Sequence, residues 1–455
     1  MLHLTGAEPD AFDFEAQRAE EFGRLDAAGI AYLDYTAAGL YGATQARDHA
    51  ERLARGVFGN PHSEHQPSRD SAAAQAAARA ATLAFFDADP ELYEVCFTAN
   101  ATAALKLVAE SYRFSPERGL VLTADNHNSV NGVREYARRA GAPVSVLPLD
   151  AELRLDAGEA RLRASVRAHG PGLLAFPQQS NFSGVRHDLA LVDLAQALGC
   201  EVMIDAASAG PCGGLSLRRH PAEFVACSFY KLFGLPTGVG ALIARKSALA
   251  RLRRPWFSGG TVAFVSVAHD RHALHPGPEG FEDGTPNFLD LTAVEAGFAF
   301  LARTPRSVLK RRIQALTGDF LARAAALRHP NGAPLVRIYG PLGTEARGGA
   351  VAFNLLGRDG AVVPYEAVEQ RARDHRVTIR GGCFCNPGAA EAAFAFAGRD
   401  VASCLDRLGE RFSVPAFRDC LGGAAVGALR LSVGPPTVHA DLDRALALCA
   451  TFAAV

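Results

Sequence analysis

The sequence predicts an α/β protein: a large domain on a mostly parallel sheet, followed by a smaller α+β domain at the C-terminal end. Two observations carry this. First, the apolar runs VLTADNHNS, VSVLPLD, LLAFPQQSNFSG, VMIDAAS, FVACSFYK and VGALIAR each read as a buried strand running into a loop, with amphipathic segments such as LALVDLAQALG between several of them. That alternation belongs to an open, mostly parallel sheet covered by helices. Second, the pattern changes after about Thr304 to a long basic helix, SVLKRRIQALTGDFLARAAAL, and then to the short apolar segments VRIYG, GAVAFNLL, VTIRGG and GALRLSVG. We therefore expect an N-terminal segment, residues 1–45, packing on the small domain, a large domain over residues 46–304, and a small domain over residues 305–455.

The chain has 455 residues, 49% of them apolar, which suits a sizeable buried core. Lys and Arg number 47 against 48 Asp and Glu, so no global field draws the protein to nucleic acid or an anionic membrane, and a small-molecule partner is expected. The N-terminal stretch MLHLTGAEPDAFDFEAQ carries acidic residues where a signal peptide needs a basic start and an apolar core, and no run nears 18 apolar residues; a cytoplasmic location is expected. The cysteines number nine, an odd count without paired C-x-x-C knuckles, which argues for neither a disulfide framework nor a metal site. Most are expected to act as buried hydrophobes, and only the C-x-C of Cys383 and Cys385 stands apart. The Ala- and Arg-rich stretch at residues 71–82 has helical periodicity and propensity.

In open parallel sheets ligands collect at the carboxyl ends of the strands, and the chemically informative residues cluster there. In SFYKLFGLPTGVG, Lys231 follows an apolar strand and precedes a loop punctuated by Gly and Pro. Most lysines are solvated surface charges. At a strand terminus, however, burial lowers the amine pKa, as a lysine forming a Schiff base requires, and Ser228 stands three residues earlier to meet a phosphate. Asp205 ends the strand VMID, where a carboxylate can keep a pyridine nitrogen protonated, although a strand-end Asp is more often a loop cap. In CFTANATAALKLVAE, Ala101 and Thr102 begin a helix whose free N–H groups and dipole favour phosphate; an ordinary Asn or Thr cap is the plainer account.

His127, after another strand, can stack on a cofactor ring, and Asn181 in QQSNFSG can donate to a ring hydroxyl or a substrate carboxylate, against the ordinary readings of structural histidine and turn residue. TIRGGCFCNPG places Arg380, Cys383 and Cys385 in a Gly-rich loop, and a thiol beside a cation is biased toward the nucleophilic thiolate. Arg430 sits in the apolar segment GALRLSVG with no obvious local acid, a placement that costs energy unless an anion, such as a substrate carboxylate, meets it.

At these residues the chain resembles the cysteine desulfurase family of class V aminotransferases with pyridoxal 5'-phosphate (PLP) fold type I, and within it the aminotransferase-like domain of molybdenum cofactor sulfurases. The resemblance runs nearly end to end through YLDYTAAGLY, GNPHS, DAAS, SFYKLFGLPTGVGALIAR, SGGTV, GTPNF and RGGCFCNPGA in the family's order. It implies that Lys231 is the Schiff-base lysine, Asp205 holds the pyridine nitrogen, His127 stacks on the ring, and Thr102 and Ser228 bind phosphate. It also implies that Asn181 contacts the ring hydroxyl or substrate, Arg430 binds the substrate carboxylate, and Cys385 takes sulfur from L-cysteine as a persulfide, releasing alanine. Thr285 matches a residue that reaches the phosphate of a neighbouring subunit, which implies a homodimer. Tyr230 and Ser208 depart from the familiar bacterial desulfurases, which have His before the lysine and Gln or His three residues after the aspartate; both move the chain toward the sulfurase branch. The sulfur acceptor is left open. A PLP-dependent C–S lyase or epimerase with an incidental Cys385 is the alternative, and a catalytically dead scaffold is disfavoured by Lys231, Asp205, His127 and Arg430 together.

Overall fold

The computed structural model describes residues 12–396 and 401–453. The beginning of the N-terminal stretch read above against a signal peptide, residues 1–11, lies outside the described residues. A short strand β1 (Ala31–Tyr32) precedes the large sheet, which consists of β2 (Tyr93–Thr98), β3 (Leu120–Thr123), β4 (Val144–Leu147), β5 (Leu173–Pro177), β6 (Glu201–Asp205), β7 (Phe224–Ser228) and β8 (Gly240–Arg245). Their order across the sheet is β2-β8-β7-β6-β5-β3-β4. The β7-β6-β5-β3-β4 stretch is parallel, and β8 runs antiparallel to both of its neighbours.

Every residue of β5, β6 and β7 is buried, which is why these strands read as continuous apolar runs rather than as alternations. The period of two divides them between the faces: Phe176, Val202, Ile204 and Val225 join one apolar core, while Ala175, Met203, Phe224 and Ala226 join the core on the other side. Each fully buried large side chain contributes roughly 1.5–3 kcal/mol, and Phe176→Ala is expected to cost about 3–5 kcal/mol. The Ala- and Arg-rich stretch lies within the helix Gln66–Phe85.

Between the two halves the structure adds a hairpin that sequence patterning did not bring out, β9 (Val262–Ser266) paired antiparallel with β10 (Arg271–Leu274). Its side chains are largely exposed, Val267 at 93% and Phe264 at 63%, so it lacks the alternation that marks a half-buried strand.

The C-terminal part holds the expected basic helix, Arg306–Ala326, and β11 (Val336–Tyr339), β12 (Ala350–Leu355), β13 (Val377–Thr378), β14 (Arg380–Gly382) and β15 (Ala428–Ser432). Four of these strands form an antiparallel sheet ordered β11-β12-β15-β14, and β13 pairs in parallel with β1. The N-terminal helix Phe14–Phe22 is tied to the same region by a buried Arg18–Asp441 ion pair at 2.7 Å. Cys96, Cys200, Cys212, Cys227 and Cys449 are buried, as expected. Cys404 and Cys420 are a correction: they form a disulfide with Cα atoms 5.9 Å apart. The helices Val401–Leu408 and Val414–Cys420 bring them together across a separation of 16 residues, a proximity that cysteine spacing alone does not reveal.

Candidate active site

The carboxyl ends of the parallel strands open into a cavity of ≈ 350 Å³ whose wall includes Thr102, His127, Asn181, Asp205, Ser208, Ser228 and Lys231. The sheet does most of this assembly. Asp205 is the last residue of β6, and Lys231 lies in the short helical turn Phe229–Phe233 that leaves the adjacent β7. Burial lowers the Lys231 amine pKa, and Arg430 and Arg380 push it the same way against the opposing pull of Asp205. The Nζ makes no hydrogen bond or ion pair with the protein among the described residues; it lies 5.9 Å from the Tyr230 ring centroid. Asp205 is 7% exposed, and its Oδ1 accepts the Ala207 N–H at 2.9 Å.

The loop after β3 carries His127, which caps a short helix, its Nδ1 accepting the Ser129 N–H at 3.1 Å. Asn126 fixes that loop by donating to the Thr123 carbonyl at 2.8 Å and the Ala175 carbonyl at 3.0 Å. Burial lowers the His127 pKa, with Lys231 and Arg430 adding to the effect and Asp205 opposing it, so a neutral ring is favoured. With Nδ1 accepting, the proton of that neutral ring sits on Nε2.

At the other end of the cavity the helix Ala101–Ser111 begins. The Ala101 N–H, expected to be available to a phosphate, instead donates to Ser228 Oγ at 2.8 Å because β7 ends beside it. The Thr102 N–H keeps no protein partner among the described residues, and Thr102 Oγ1 shares a 2.8 Å hydrogen bond with Ser129 Oγ. Ser208 donates its hydroxyl to the Gln179 carbonyl, while Gln179 returns its amide N–H to the Ser208 carbonyl at 2.9 Å. Thr285 lies outside the wall of this cavity, on a neighbouring one of ≈ 350 Å³ that shares Ala99 and Gly238 with it.

The arginines occupy a second layer. Arg380 and Arg430 are register partners on β14 and β15, two like charges directly opposite each other. Sequence reading found no acid near Arg430; the structure corrects this with Asp34. Its Oδ1 accepts Arg430 Nη2 at 3.0 Å and its Oδ2 accepts Arg380 Nη2 at 2.9 Å. The acid lies 396 residues away in sequence and reaches β15 through a bridge between Asp34 and Ser432. Arg430 Nη1 donates to the Asn181 carbonyl at 2.9 Å, and its buried Nε is without a partner among the described residues. Neither arginine is part of the cavity wall, yet both act electrostatically on Lys231.

Cys385 also stands outside the cavity wall and within electrostatic reach of Lys231, on a loop held by hydrogen bonds rather than by a sheet. Phe384 and Cys385 have φ of 57° and 55°, left-handed values that cost non-glycine residues about 1–3 kcal/mol each. Three asparagines hold this conformation. Asn181 Nδ2 donates to the Phe384 carbonyl at 2.6 Å, Asn386 Nδ2 donates to the Asp125 carbonyl at 2.7 Å and Asn181 Oδ1 at 2.9 Å, and the Asn128 N–H donates to the Cys385 carbonyl at 2.7 Å. Gly388 lets the following helix approach Ala124, where a Cβ would stand 2.1 Å from the carbonyl oxygen. Phe384 is buried beneath Arg430, and Cys383 and Cys385 are exposed. Thus the Asn181 side chain, on the cavity wall, also ties down the cysteine loop. Asp34, Ser129 and Asn386 were missed as working residues, although all three stand inside quoted motifs.

The donor set fits pyridoxal phosphate: an amine without a protein partner, a buried carboxylate on the adjacent strand, an imidazole, and an unpaired helix N–H flanked by hydroxyls suited to a phosphate. Among the described residues no group of three or more His, Cys, Asp or Glu could hold a metal ion.

The molybdenum cofactor sulfurase of Oryza sativa subsp. japonica is 34% identical over 95% of this chain and 57% of its own length, and that of Bos taurus is 35% identical over 92% and 49%. The chain spans about half the length of these curated relatives. Among solved structures, a cysteine desulfurase from Thermococcus onnurineus superposes with a TM-score of 0.78 at 23% identity over 97% of this chain and 98% of that one. One from Escherichia coli gives 0.76 at 21% identity over 96% and 98%. These two similarities show the fold, that of PLP fold type I. The profile of the aminotransferase class-V family matches residues 31–406, and the chain belongs to that family.

Proposed function

We propose that the protein is a PLP-dependent cysteine desulfurase of the molybdenum cofactor sulfurase type, which moves sulfur from L-cysteine to a persulfide on Cys385 and releases alanine. The observation that supports this best is the cysteine loop: two left-handed residues, held by Asn181, Asn386 and Asn128, present an exposed thiol within electrostatic reach of Lys231.

Bound PLP would supply an electron sink for the charge that develops on the substrate carbon. Lys231 and Asp205 would hold its reactive end and ring nitrogen, His127 its ring face, and Thr102 and Ser228 its phosphate. The downward shift of the amine pKa favours the neutral, proton-accepting form of Lys231. Arg430, with Arg380 behind it, offers positive charge to the substrate carboxylate. Cys385 Sγ would then attack the substrate sulfur, an S–S bond forming as the substrate Cβ–S bond breaks; the electron pair stays with the carbon, which is protonated to give alanine.

A cytoplasmic homodimer is part of the proposal, with Thr285 serving the partner's phosphate. Its placement outside the Lys231 cavity of its own chain supports that role. The boundaries 1–45, 46–304 and 305–455 are proposed with it, supported by the separate apolar cores of the two halves. The test is to incubate the holoenzyme with L-cysteine, assay alanine, and map added sulfur by mass spectrometry. Stoichiometric alanine with one reductant-labile sulfur on the Cys385 peptide supports the proposal. Sulfide release with no trapped sulfur there would sink it in favour of a C–S lyase.

A further inference from the structure

A second, smaller chamber of ≈ 60 Å³ adjoins the Lys231 cavity, and both walls include Ser208 and Lys231. Arg186 and Gln179 line its polar side, with Cys212 beside them and apolar groups from Leu232 and Ile313 closing it. Arg186 is partly buried, lining an open groove as well as the chamber, and enters no ion pair among the described residues. Its Nε donates to Gln179 Oε1 at 3.0 Å, and neither Nη has a hydrogen-bond partner among the described residues. Burial lowers its pKa, and the one titratable group that opposes this is the Cys212 thiol, which burial itself pushes up to about 11 and so keeps neutral. Arg306 and Lys310 also act on Cys212, so the surroundings add positive charge and no acid.

A guanidinium drawn partly out of water without an anion gains from a carboxylate or a bound ion. Elsewhere in this site the rule is obeyed: Asp34 serves both Arg380 and Arg430. Arg186 is not served, and its free Nη atoms present a planar fork suited to a carboxylate. The chamber is sized for one such group. Ser208 stands on both walls, where a longer side chain would take up space between them.

We infer that Arg186 and Gln179 form an anion subsite beside the Lys231 cavity that binds a small carboxylate. The subsite is distinct from Arg430 and takes a free carboxylate or the second carboxylate of an amino-acid ligand. The inference rests on the chamber and the unserved arginine, so it stands or falls separately from sulfur transfer by Cys385. Formate is the probe, titrated calorimetrically into the holoenzyme. Wild type is expected to bind it saturably, with Arg186→Gln at least tenfold weaker and Arg430→Gln close to wild type. Ser208→Gln should also abolish binding while leaving Arg186 in place, and unchanged thermal melting and cofactor absorbance in each variant would show that the fold is kept. Equal formate affinity in Arg186→Gln, loss only in Arg430→Gln, or no saturable binding to wild type would overturn the subsite.

Discussion

The cavity floor and the cysteine loop are built by different means. Asp205 and Lys231 stand where they do because β6 and β7 are neighbours in a sheet buried on both faces, so their placement follows from the strands. Cys385 stands where it does because asparagine side chains and one backbone N–H capture carbonyls from the far side of the cleft. The floor is secured by many apolar contacts, the loop by a few hydrogen bonds holding two left-handed residues. Substitutions should therefore separate cofactor binding from sulfur transfer.

The largest effects come from the reacting groups. Lys231→Ala should leave no cofactor that borohydride can fix to the protein, and reductive peptide mapping checks this. Cys385→Ser should keep the cofactor, its absorbance and its response to L-cysteine, yet lose persulfide formation and drop to background alanine production, because an alcohol is a far poorer nucleophile than a thiol. Cys383→Ser should be milder. Wild-type alanine and sulfide from Cys385→Ser would remove the distinction between floor and loop.

Asn386→Ala attacks the loop without touching a reacting atom. It deprives the Asp125 carbonyl and Asn181 Oδ1 of their donor and uncaps the helix that begins at Pro387. A loss of about 2–4 kcal/mol is expected in denaturant unfolding, with cofactor content kept and sulfur transfer reduced. Equal losses of cofactor and of transfer would show that loop and floor are one unit.

Arg430→Ala lies between the two regions. It should lower kcat/KM for L-cysteine by about 2–5 kcal/mol, the range for truncating one partner of a buried charge pair. Part of that loss arises from Asp34, which keeps only Arg380. Asp34→Asn should therefore weaken use of a carboxylate-bearing substrate although it removes no cation, whereas cysteamine, which lacks the carboxylate, should be affected little by either change. Wild-type kinetics with L-cysteine in Arg430→Ala would return Arg430 to a structural role.

The same contrast explains what the sequence made legible. The placement of Asp205, His127 and Lys231 could be read because apolar runs announce the strands, and what ends or closely follows a run lies at the carboxyl end of the sheet. The partner of Arg430 could not be read, since Asp34 meets it only through a bridge across 396 residues. The bond from Asn181 to the cysteine loop could not be read for a related reason: its position at the cavity was visible, but the loop that captures its amide comes 203 residues later. The exposed hairpin β9–β10 escaped because it lacks the apolar alternation on which strand recognition depends, and the Cys404–Cys420 disulfide because proximity depends on how two short helices pack. Ser129 and Asn386 did carry a local signal, as polar residues at or beside a helix cap.

The smallest effect concerns the floor alone and is one of acidity. Burial depresses the His127 pKa below its ordinary value of 6.5, so the folded protein holds this ring neutral while the unfolded chain binds a proton at that ordinary value. Above pH 6.5 both states are neutral at this position and His127 contributes no pH dependence. As pH falls below 6.5 the unfolded state is protonated first, and stability declines until the folded-state pKa is reached and both forms carry the proton. In the cofactor-free protein, where Lys231 is an amine and its charge adds to the depression, denaturant unfolding at pH 7.5 and pH 5.5 should show wild type losing more stability on acidification than His127→Gln. The difference should be confined to that window and absent above it. Parallel stability profiles for the two proteins would mean that His127 is solvated well enough to titrate normally, and the floor would then lack the neutral ring assigned to it.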